Sequence, residues 1–281
     1  MRTTLYYFSG TGNSLVVARD IAAGLDDAQV VRICAQALRN IGIEPGQSAI
    51  DDQTSQAGPP YSHAPTEPDN VGIVAPVYHT GLPTVVSDFL GTVPIDPGSY
   101  VFAVATYGDG PGVFFNDTAA ILRRRQIRLA AGFGIQMPHN VHASTPAIQA
   151  QLLEAEKQQA AEIARTVAAR RSQPLPLANP FAAPLLKLTR KVAARPGVDS
   201  HFTVDDNACI GCDICAYVCP ADNITMVDGR PRWAIDGCQE CLACLQWCPR
   251  DAIGFTAEPV THYHHPAVKV PSMFVRRRTR Q

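Results

Sequence analysis

Residues 2–14 read RTTLYYFSGTGNS, and this stretch decides how the first half of the chain is expected to fold. Residues 2–8 are mostly apolar, β-branched or aromatic and predict a buried strand. A turn with two glycines follows, and from Asn13 to Leu25 apolar residues recur at helical spacing. The stretch therefore predicts a strand, a tight turn and a helix in direct succession.

The alternation of strand-like and helical segments continues to residue 171. Such alternation is typical of a parallel sheet covered by helices. Further strands are predicted at residues 29–33, 71–77, 100–106 and 127–137. Further helices are predicted at residues 85–90, 113–126 and 146–171. We interpret the glycines inside the last strand as a sign of a bulge or a break.

The turn at residues 9–14 follows the first strand at its carboxyl end, where ligands bind in doubly wound α/β folds. Its glycines let backbone N–H groups face an anion, its hydroxyl groups add donors, and the helix N-terminus adds partial positive charge. The turn matches neither the triphosphate-binding nor the dinucleotide-binding glycine motif. A phosphate monoester is therefore the expected ligand, and a turn without a ligand is the alternative. The candidate residues are Ser9, Gly10, Thr11, Gly12, Asn13 and Ser14.

Eight of the nine cysteines form two copies of the pattern C-x-x-C-x-x-C-x-x-x-C-P. The copies are Cys209, Cys212, Cys215 and Cys219 before Pro220, and Cys238, Cys241, Cys244 and Cys248 before Pro249. Cysteines spaced three apart can bind three corners of an iron–sulfur cubane. Structural zinc and disulfide bonds are the alternatives, although zinc usually takes two separated C-x-x-C pairs. The ninth cysteine, Cys34, is predicted to be a core residue.

The cysteine pattern resembles that of two-cluster bacterial ferredoxins over residues 201–257. The resemblance implies two [4Fe-4S] clusters, and in this pattern the fourth cysteine of each copy binds the other cluster. The first cluster is then expected on Cys209, Cys212, Cys215 and Cys248, and the second on Cys238, Cys241, Cys244 and Cys219.

Residues 9–14 resemble the FMN phosphate loop of flavodoxins, and residues 76–81 and 106–110 resemble the loops that contact the flavin ring in that family. The resemblance implies bound FMN and a five-stranded sheet in the order 2-1-3-4-5. It also implies that Tyr78 stacks on the flavin or meets its edge, with a rim position for Tyr78 or Tyr107 as the alternative. The implied flavin contacts are Pro76, Val77, Tyr78, His79, Thr106, Tyr107, Gly108 and Asp109.

Together with the Met-Pro-His-Asn sequence at residues 137–140, these modules resemble flavodoxin–ferredoxin fusion proteins. The resemblance implies a flavodoxin-like doubly wound α/β domain followed by a small α+β ferredoxin domain. It implies electron transfer between the clusters and FMN, which converts between one-electron and two-electron carriers, with redox proteins as partners. The alternative is a flavin-dependent reductase of a quinone or nitro compound, with His79, Tyr107 or His139 as proton donor.

Changes in composition along the chain predict where the domains begin and end. A flavodoxin-like domain is expected at residues 1–172, with an irregular surface insertion at residues 43–70. A proline-rich linker with a short basic amphipathic helix is expected at residues 173–200. The ferredoxin domain and a basic tail are expected at residues 201–258 and 259–281.

The chain has 281 residues, and its formal net charge of −1 argues against a nucleic-acid partner. No signal-peptide pattern follows Met1, and no apolar run is long enough to span a bilayer. We therefore expect a cytoplasmic protein. Membrane contact through residues 184–195 and 276–280 is a weaker alternative. Metal binding by His262, His264 and His265 is another weaker alternative.

Overall fold

The computed structural model describes residues 2–40, 70–142, 144–179, 183–186, 201–234, 237–256 and 260–275. The predicted insertion up to residue 69, most of the predicted linker and the arginine-rich stretch after residue 275 lie outside the described residues. Within the described ranges, no helix combines the length and the apolar character needed to cross a bilayer.

A parallel sheet of five strands forms the centre of the first module. The strands are β1 (Thr3–Tyr7), β2 (Ala28–Arg32), β3 (Asn70–Pro76), β4 (Tyr100–Tyr107) and β5 (Leu129–Gln136). They lie in the order β2-β1-β3-β4-β5, and all four pairings are parallel. This is the strand order of flavodoxin-like folds, so the predicted fold class is confirmed.

Helices connect the strands and cover the sheet. They are α1 (Asn13–Ala23), α2 (Ala35–Asn40), α3 (Thr84–Thr92), α4 (Phe114–Arg124) and α5 (Pro146–Ala168). Helix α1 packs against α5, and α3 packs against α4. Strands β3 and β4 are buried along almost their whole length, as expected for a covered parallel sheet. Helix α2 has no counterpart among the predicted helices, because six residues are too few to show a helical period.

The glycines of β5 make room for aromatic side chains. A Cβ atom at Gly132 would lie 2.9 Å from the ring of Phe115, and one at Gly134 would lie 2.8 Å from the hydroxyl of Tyr107. The register of β5 shifts between Leu129 and Ala131 instead. A bulge is therefore present as expected, but it does not lie at the glycines.

The second module repeats one backbone conformation with an offset of 29 residues. Its elements are β6 (Phe202–Val204), α6 (Ile214–Val218), β7 (Ile224–Val227), β8 (Arg230–Trp233), α7 (Ala243–Gln246) and β9 (Ile253–Phe255). Strand β6 pairs with β9 and β7 pairs with β8, both antiparallel. The left-handed residues at the cysteine turns recur as pairs: Gly211 with Glu240, Asp213 with Leu242, and Asp222 with Asp251. The repeat in sequence is thus also a repeat in structure.

Residues 260–275, called the C-terminal segment below, pack against both modules. Tyr263, His265, Val268 and Met273 are buried, and a 3₁₀ turn spans Val270–Met273. The described part of the expected basic tail is therefore a packed part of the fold. The reason is that its scattered aromatic and apolar side chains are buried against the rest of the molecule, although they follow no periodic pattern.

Candidate flavin and iron–sulfur sites

The turn between β1 and α1 presents hydrogen-bond donors to a cleft. Gly12 precedes α1 with φ of 96°, no side chain caps the helix, and its first turn contains no acidic residue. Ser9 Oγ accepts the N–H of Gly12 at 3.0 Å, which leaves its own hydroxyl proton available. The Thr11 hydroxyl lines the same cleft and has no hydrogen-bond partner among the described residues. Uncapped N–H groups, a helix N-terminus and free hydroxyls fit a phosphate group.

The side chains of Asn13 and Ser14 are engaged within the protein. Asn13 Nδ2 donates to the carbonyl of Pro138 at 3.1 Å, and its Oδ1 accepts from the Tyr263 hydroxyl at 2.8 Å. The Ser14 hydroxyl lies 2.8 Å from that of Thr106, which ties α1 to the end of β4. Asn13 can therefore contribute to an anion site through its backbone N–H at the start of α1.

Loops that follow β1, β3, β4 and β5 line two adjoining clefts at one edge of the sheet. The first cleft has a volume of about 360 Å³ and runs from the turn at residues 9–14 to His139. The second has a volume of about 850 Å³, is open to solvent, and is also lined by Glu240 and Leu242 of the second module. Each predicted phosphate and flavin residue except Gly12 lines one of these clefts. The structure thus brings the predicted residues together.

Tyr78 lies between the turn at residues 9–14, called the phosphate turn below, and the second module. Its ring meets that of Phe8 edge-on at 6.2 Å between centroids, and a Cβ atom at Gly10 would lie 3.1 Å from its hydroxyl. Burial, with Cys241 close by, raises the pKa of Tyr78 well above that of a free tyrosine. Tyr78 is therefore neutral, and its hydroxyl lies beside Gly10 in the wall of the cleft.

Two imidazole–carboxylate pairs border the second cleft. His79 Nε2 lies 3.4 Å from Glu240, and His139 Nε2 lies 3.7 Å from Asp109. The other ring nitrogen of His139, Nδ1, accepts hydrogen bonds from two backbone N–H groups at 3.0 and 3.2 Å. A neutral His139 therefore carries its proton on Nε2, on the side of Asp109.

The eight cysteines of the two arrays lie in two groups. The first cysteine group is Cys209, Cys212, Cys215 and Cys248, and the second is Cys219, Cys238, Cys241 and Cys244. Each group holds three cysteines from one array and the fourth cysteine of the other array. None of the nine cysteines forms a disulfide bond, and Cys34 is buried.

The surroundings of the sulfur atoms suit cationic ligands. Burial raises the pKa of Cys215 to about 12, and it raises the pKa values of Cys241 and Cys244 well above that of a free thiol. Thiols in such surroundings ionise when metal cations balance their charge. Within the described residues, no three His, Cys, Asp or Glu side chains converge as the ligands of a single metal ion would.

Backbone N–H groups support the fourth cysteine of each array. The N–H of Asn223 donates to Cys219 Sγ and that of Ala252 donates to Cys248 Sγ, both at 3.3 Å. Hydrogen bonds of this kind orient thiolate ligands and tune the potentials of the clusters that they hold. The donor sets and their surroundings therefore fit iron–sulfur clusters.

The second cysteine group packs directly against the phosphate turn. A Cβ atom at Gly10 would lie 2.4 Å from the carbonyl oxygen of Cys241, so only glycine permits this approach. Trp247 Nε1 donates to the carbonyl of Gly10 at 2.8 Å, and Gln239 accepts the N–H of Val85 at 3.2 Å. The first cysteine group lines a separate cavity of about 340 Å³. The second group is therefore the one next to the two adjoining clefts that the predicted phosphate and flavin residues line, together called the flavin cleft below.

Three residues contact the phosphate turn although the sequence did not predict that they would. Besides Trp247 and Tyr263, the backbone N–H of His265 donates to the carbonyl of Thr11 at 2.9 Å. Trp247 lies between the last two cysteines of the second array, Tyr263 belongs to no motif, and His265 belongs to the histidine group considered for metal binding. The histidine group near them is divided between different contacts. His264 stacks on Trp247 at 4.2 Å between centroids, and His262 lies 3.2 Å from Asp251.

Comparisons with known protein families gave a match in the second module. Residues 201–249 match the family described as 4Fe-4S dicluster domain. A search of curated proteins gave no match.

Solved structures similar to the first module share little sequence with it. The Trp repressor binding protein from Bacillus subtilis is 15% identical with a TM-score of 0.35, over 59% of this chain and 98% of that chain. The flavodoxin from Megasphaera elsdenii is 19% identical with a TM-score of 0.32, over 56% and 98%. The flavodiiron protein from Giardia intestinalis is 12% identical with a TM-score of 0.35, over 60% and 36%. Because these scores are low, the fold assignment rests on the strand order.

The strand order and the cysteine-rich family match concern different parts of the same chain. The first describes residues 3–136, and the second describes residues 201–249. A flavin-type fold and a 4Fe-4S domain together indicate electron transfer as the general activity. The chain combines a flavodoxin-like α/β domain with a 4Fe-4S dicluster domain, which fits a flavodoxin–ferredoxin fusion.

Proposed function

We propose that this chain binds FMN and two [4Fe-4S] clusters and passes electrons between them and redox protein partners. The clusters exchange single electrons and the flavin exchanges one or two, so the pair converts between the two kinds of carrier. The protein residues hold these groups close together and set the environment of each.

The observation that carries this proposal is the contact between the second cysteine group and the flavin cleft. Cys241 packs its carbonyl oxygen against Gly10, and its neighbours Glu240 and Leu242 line the same cleft as Tyr107 and His139. A cluster on the second cysteine group would therefore be the nearer of the two to a flavin in this cleft. The first cysteine group, in its separate cavity, would then exchange electrons with a partner protein.

The residues around the cleft have separable roles in this proposal. Ser9, Thr11 and the start of α1 bind the phosphate through hydroxyl and backbone donors. Tyr78 stays protonated and closes the wall towards the second cysteine group. His139 presents its Nε2 proton near the cleft, because Nδ1 is already engaged with backbone N–H groups.

Anaerobic purification followed by chemical analysis and a redox titration tests the proposal. We expect about eight iron atoms, about eight sulfides and one FMN per chain. We also expect flavin reduction when the clusters are reduced first. A protein that holds zinc, that holds clearly fewer iron atoms after cluster reconstitution, or that binds no flavin would refute the assignment.

An alternative function is the reduction of a small acceptor, such as a quinone or nitro compound, over the flavin. The observation that favours it is the open second cleft, which is bordered by the His79–Glu240 and His139–Asp109 pairs. Such pairs can donate protons to a reduced product. Steady-state turnover of quinones by the purified holoprotein would support the alternative, and its absence would leave electron exchange with protein partners.

A further inference from the structure

The second module and the C-terminal segment hold three polar groups on the outer side of the phosphate turn. Trp247 Nε1 donates to the carbonyl of Gly10 at 2.8 Å, and the N–H of His265 donates to the carbonyl of Thr11 at 2.9 Å. The Tyr263 hydroxyl donates to Asn13 Oδ1 at 2.8 Å. All three of these donors lie outside the flavodoxin-like module.

The donors are themselves fixed by the second module. The backbone N–H of Tyr263 donates to Gln246 Oε1 at 2.6 Å, and Gln246 Nε2 donates to the carbonyl of Thr261 at 3.1 Å. Gln246 is the last residue of α7, which carries Cys244, and Trp247 follows it. Burial raises the pKa of Tyr263, so its hydroxyl remains a donor at physiological pH. The turn is thus held by residues that lie next to cluster ligands.

Peptide geometry relates these outer contacts to the inner face of the turn. In a trans peptide the carbonyl of one residue and the N–H of the next point in opposite directions. Holding the Gly10 carbonyl outward therefore directs the N–H of Thr11 towards the cleft. Holding the Asn13 side chain between Tyr263 and Pro138 likewise fixes the first residue of α1, whose N–H groups are uncapped.

We propose that Tyr263 and Trp247 are positioning residues for the phosphate of the flavin, so that the phosphate site is completed by the second module and the C-terminal segment. The inference rests on the proposed binding of FMN. Neither residue touches the phosphate. They act through Asn13 and Gly10, and their effect should appear only for a ligand that carries a phosphate.

Calorimetric titration of the flavin-free, cluster-loaded full chain with FMN and with riboflavin tests the inference, because riboflavin lacks the phosphate. Tyr263→Phe removes only the hydroxyl that Asn13 accepts, and we expect FMN affinity to fall about tenfold, the equivalent of one buried hydrogen bond. Riboflavin affinity should stay unchanged. Tyr100→Phe is the matched control, because that hydroxyl donates to the carbonyl of Arg171, away from the clefts.

Trp247→Phe is the second variant and keeps an aromatic ring opposite His264 while removing the donor to Gly10. We expect the same selective loss of FMN affinity, with iron content unchanged. If the wild-type chain binds neither flavin, the proposed function itself is wrong. If the wild-type chain prefers FMN and both variants keep its ratio of FMN to riboflavin affinity, FMN binding stands and the positioning role is refuted.

Discussion

The carboxyl of Glu156 is buried where α5 packs against α1, and its Oε1 has no hydrogen-bond partner among the described residues. Burial and the neighbouring Asp20 raise its pKa from the ordinary glutamate value of 4.5 to about 8. The folded protein therefore binds this proton more tightly than the unfolded chain does. Its contribution to stability is present below pH 4.5 and is lost as the pH rises towards 8.

We predict that Glu156→Gln stabilises the protein at high pH, because the amide needs no proton to remain neutral. The free energy of unfolding should rise on the order of 2 kcal/mol at pH 8 and change little at pH 5. Urea unfolding of the anaerobic protein at both pH values measures this difference. Glu162→Gln on the exposed face of the same helix is the control and should show no such pH dependence. Equal effects at both pH values would contradict the buried proton.

Gly10 is a point of close contact between the two modules. A Cβ atom there would lie 2.4 Å from the Cys241 carbonyl, so Gly10→Ala must displace either the turn or the cysteine loop. We expect FMN affinity to fall at least tenfold, since strain of this kind costs about 1–3 kcal/mol. Riboflavin affinity should fall as well, because the loop that lines the cleft moves too. Wild-type affinity for both flavins, measured by titration, would show that the contact is not needed.

At the scale of elements, the second module consists of two similar halves, and each half contributes its fourth cysteine to the cysteine group of the other half. Helices α6 and α7 carry equivalent cysteines, and the N–H contacts to Cys219 and Cys248 have the same length of 3.3 Å. The halves differ in their neighbours, because only the second cysteine group adjoins the flavin cleft. Chemically similar substitutions should therefore have different consequences for electron transfer.

Cys219→Ser and Cys248→Ser form a matched pair that tests this difference. Cys219 belongs to the second cysteine group, so its loss should slow electron transfer from clusters to flavin at least tenfold in stopped-flow measurements. Cys248 belongs to the first group, so its loss should impair reduction by an external protein while leaving the remaining cluster in rapid exchange with the flavin. The reverse outcome would mean that the first group lies on the flavin side.

Sequence patterns predicted those elements whose physical signal is local. Strands β1, β3 and β4 are apolar runs, and the cysteine arrays carry their spacing in the chain itself. Helix α2 is too short to show a period, and Gly132 and Gly134 proved to be sites of close packing by Phe115 and Tyr107. Such packing depends on residues far apart in sequence, which a local pattern does not report.

At the scale of the whole molecule, the two modules share the phosphate turn. The contacts of Gly10 with Cys241 and Trp247, and of Asn13 with Tyr263, were not predictable, because each joins residues more than 200 positions apart that no local pattern relates. Arg32 of β2 adds hydrogen bonds to carbonyls of the C-terminal segment, at 2.6 Å to that of Met273. A ligand that stabilises the turn should therefore stabilise the second module as well.

We predict that FMN slows the loss of iron from the protein. Binding to the folded state stabilises it in proportion to the logarithm of ligand concentration over the dissociation constant. The release of iron to a strong chelator, followed anaerobically by absorbance, should be several-fold slower with saturating FMN than without flavin. Riboflavin should protect less, because it leaves the phosphate turn empty. Equal release rates with and without FMN would mean that the modules are energetically independent.

The hydrogen bond between Asn13 and Tyr263 joins residues 250 positions apart in the chain. During synthesis at about 5–20 residues per second, roughly 10–50 seconds separate the emergence of these two residues from the ribosome. During that time the nascent phosphate turn lacks Tyr263 and the other partners that hold it in the folded protein. On the proposed function, we therefore expect the flavin to bind late, after every cysteine of the two arrays has been translated.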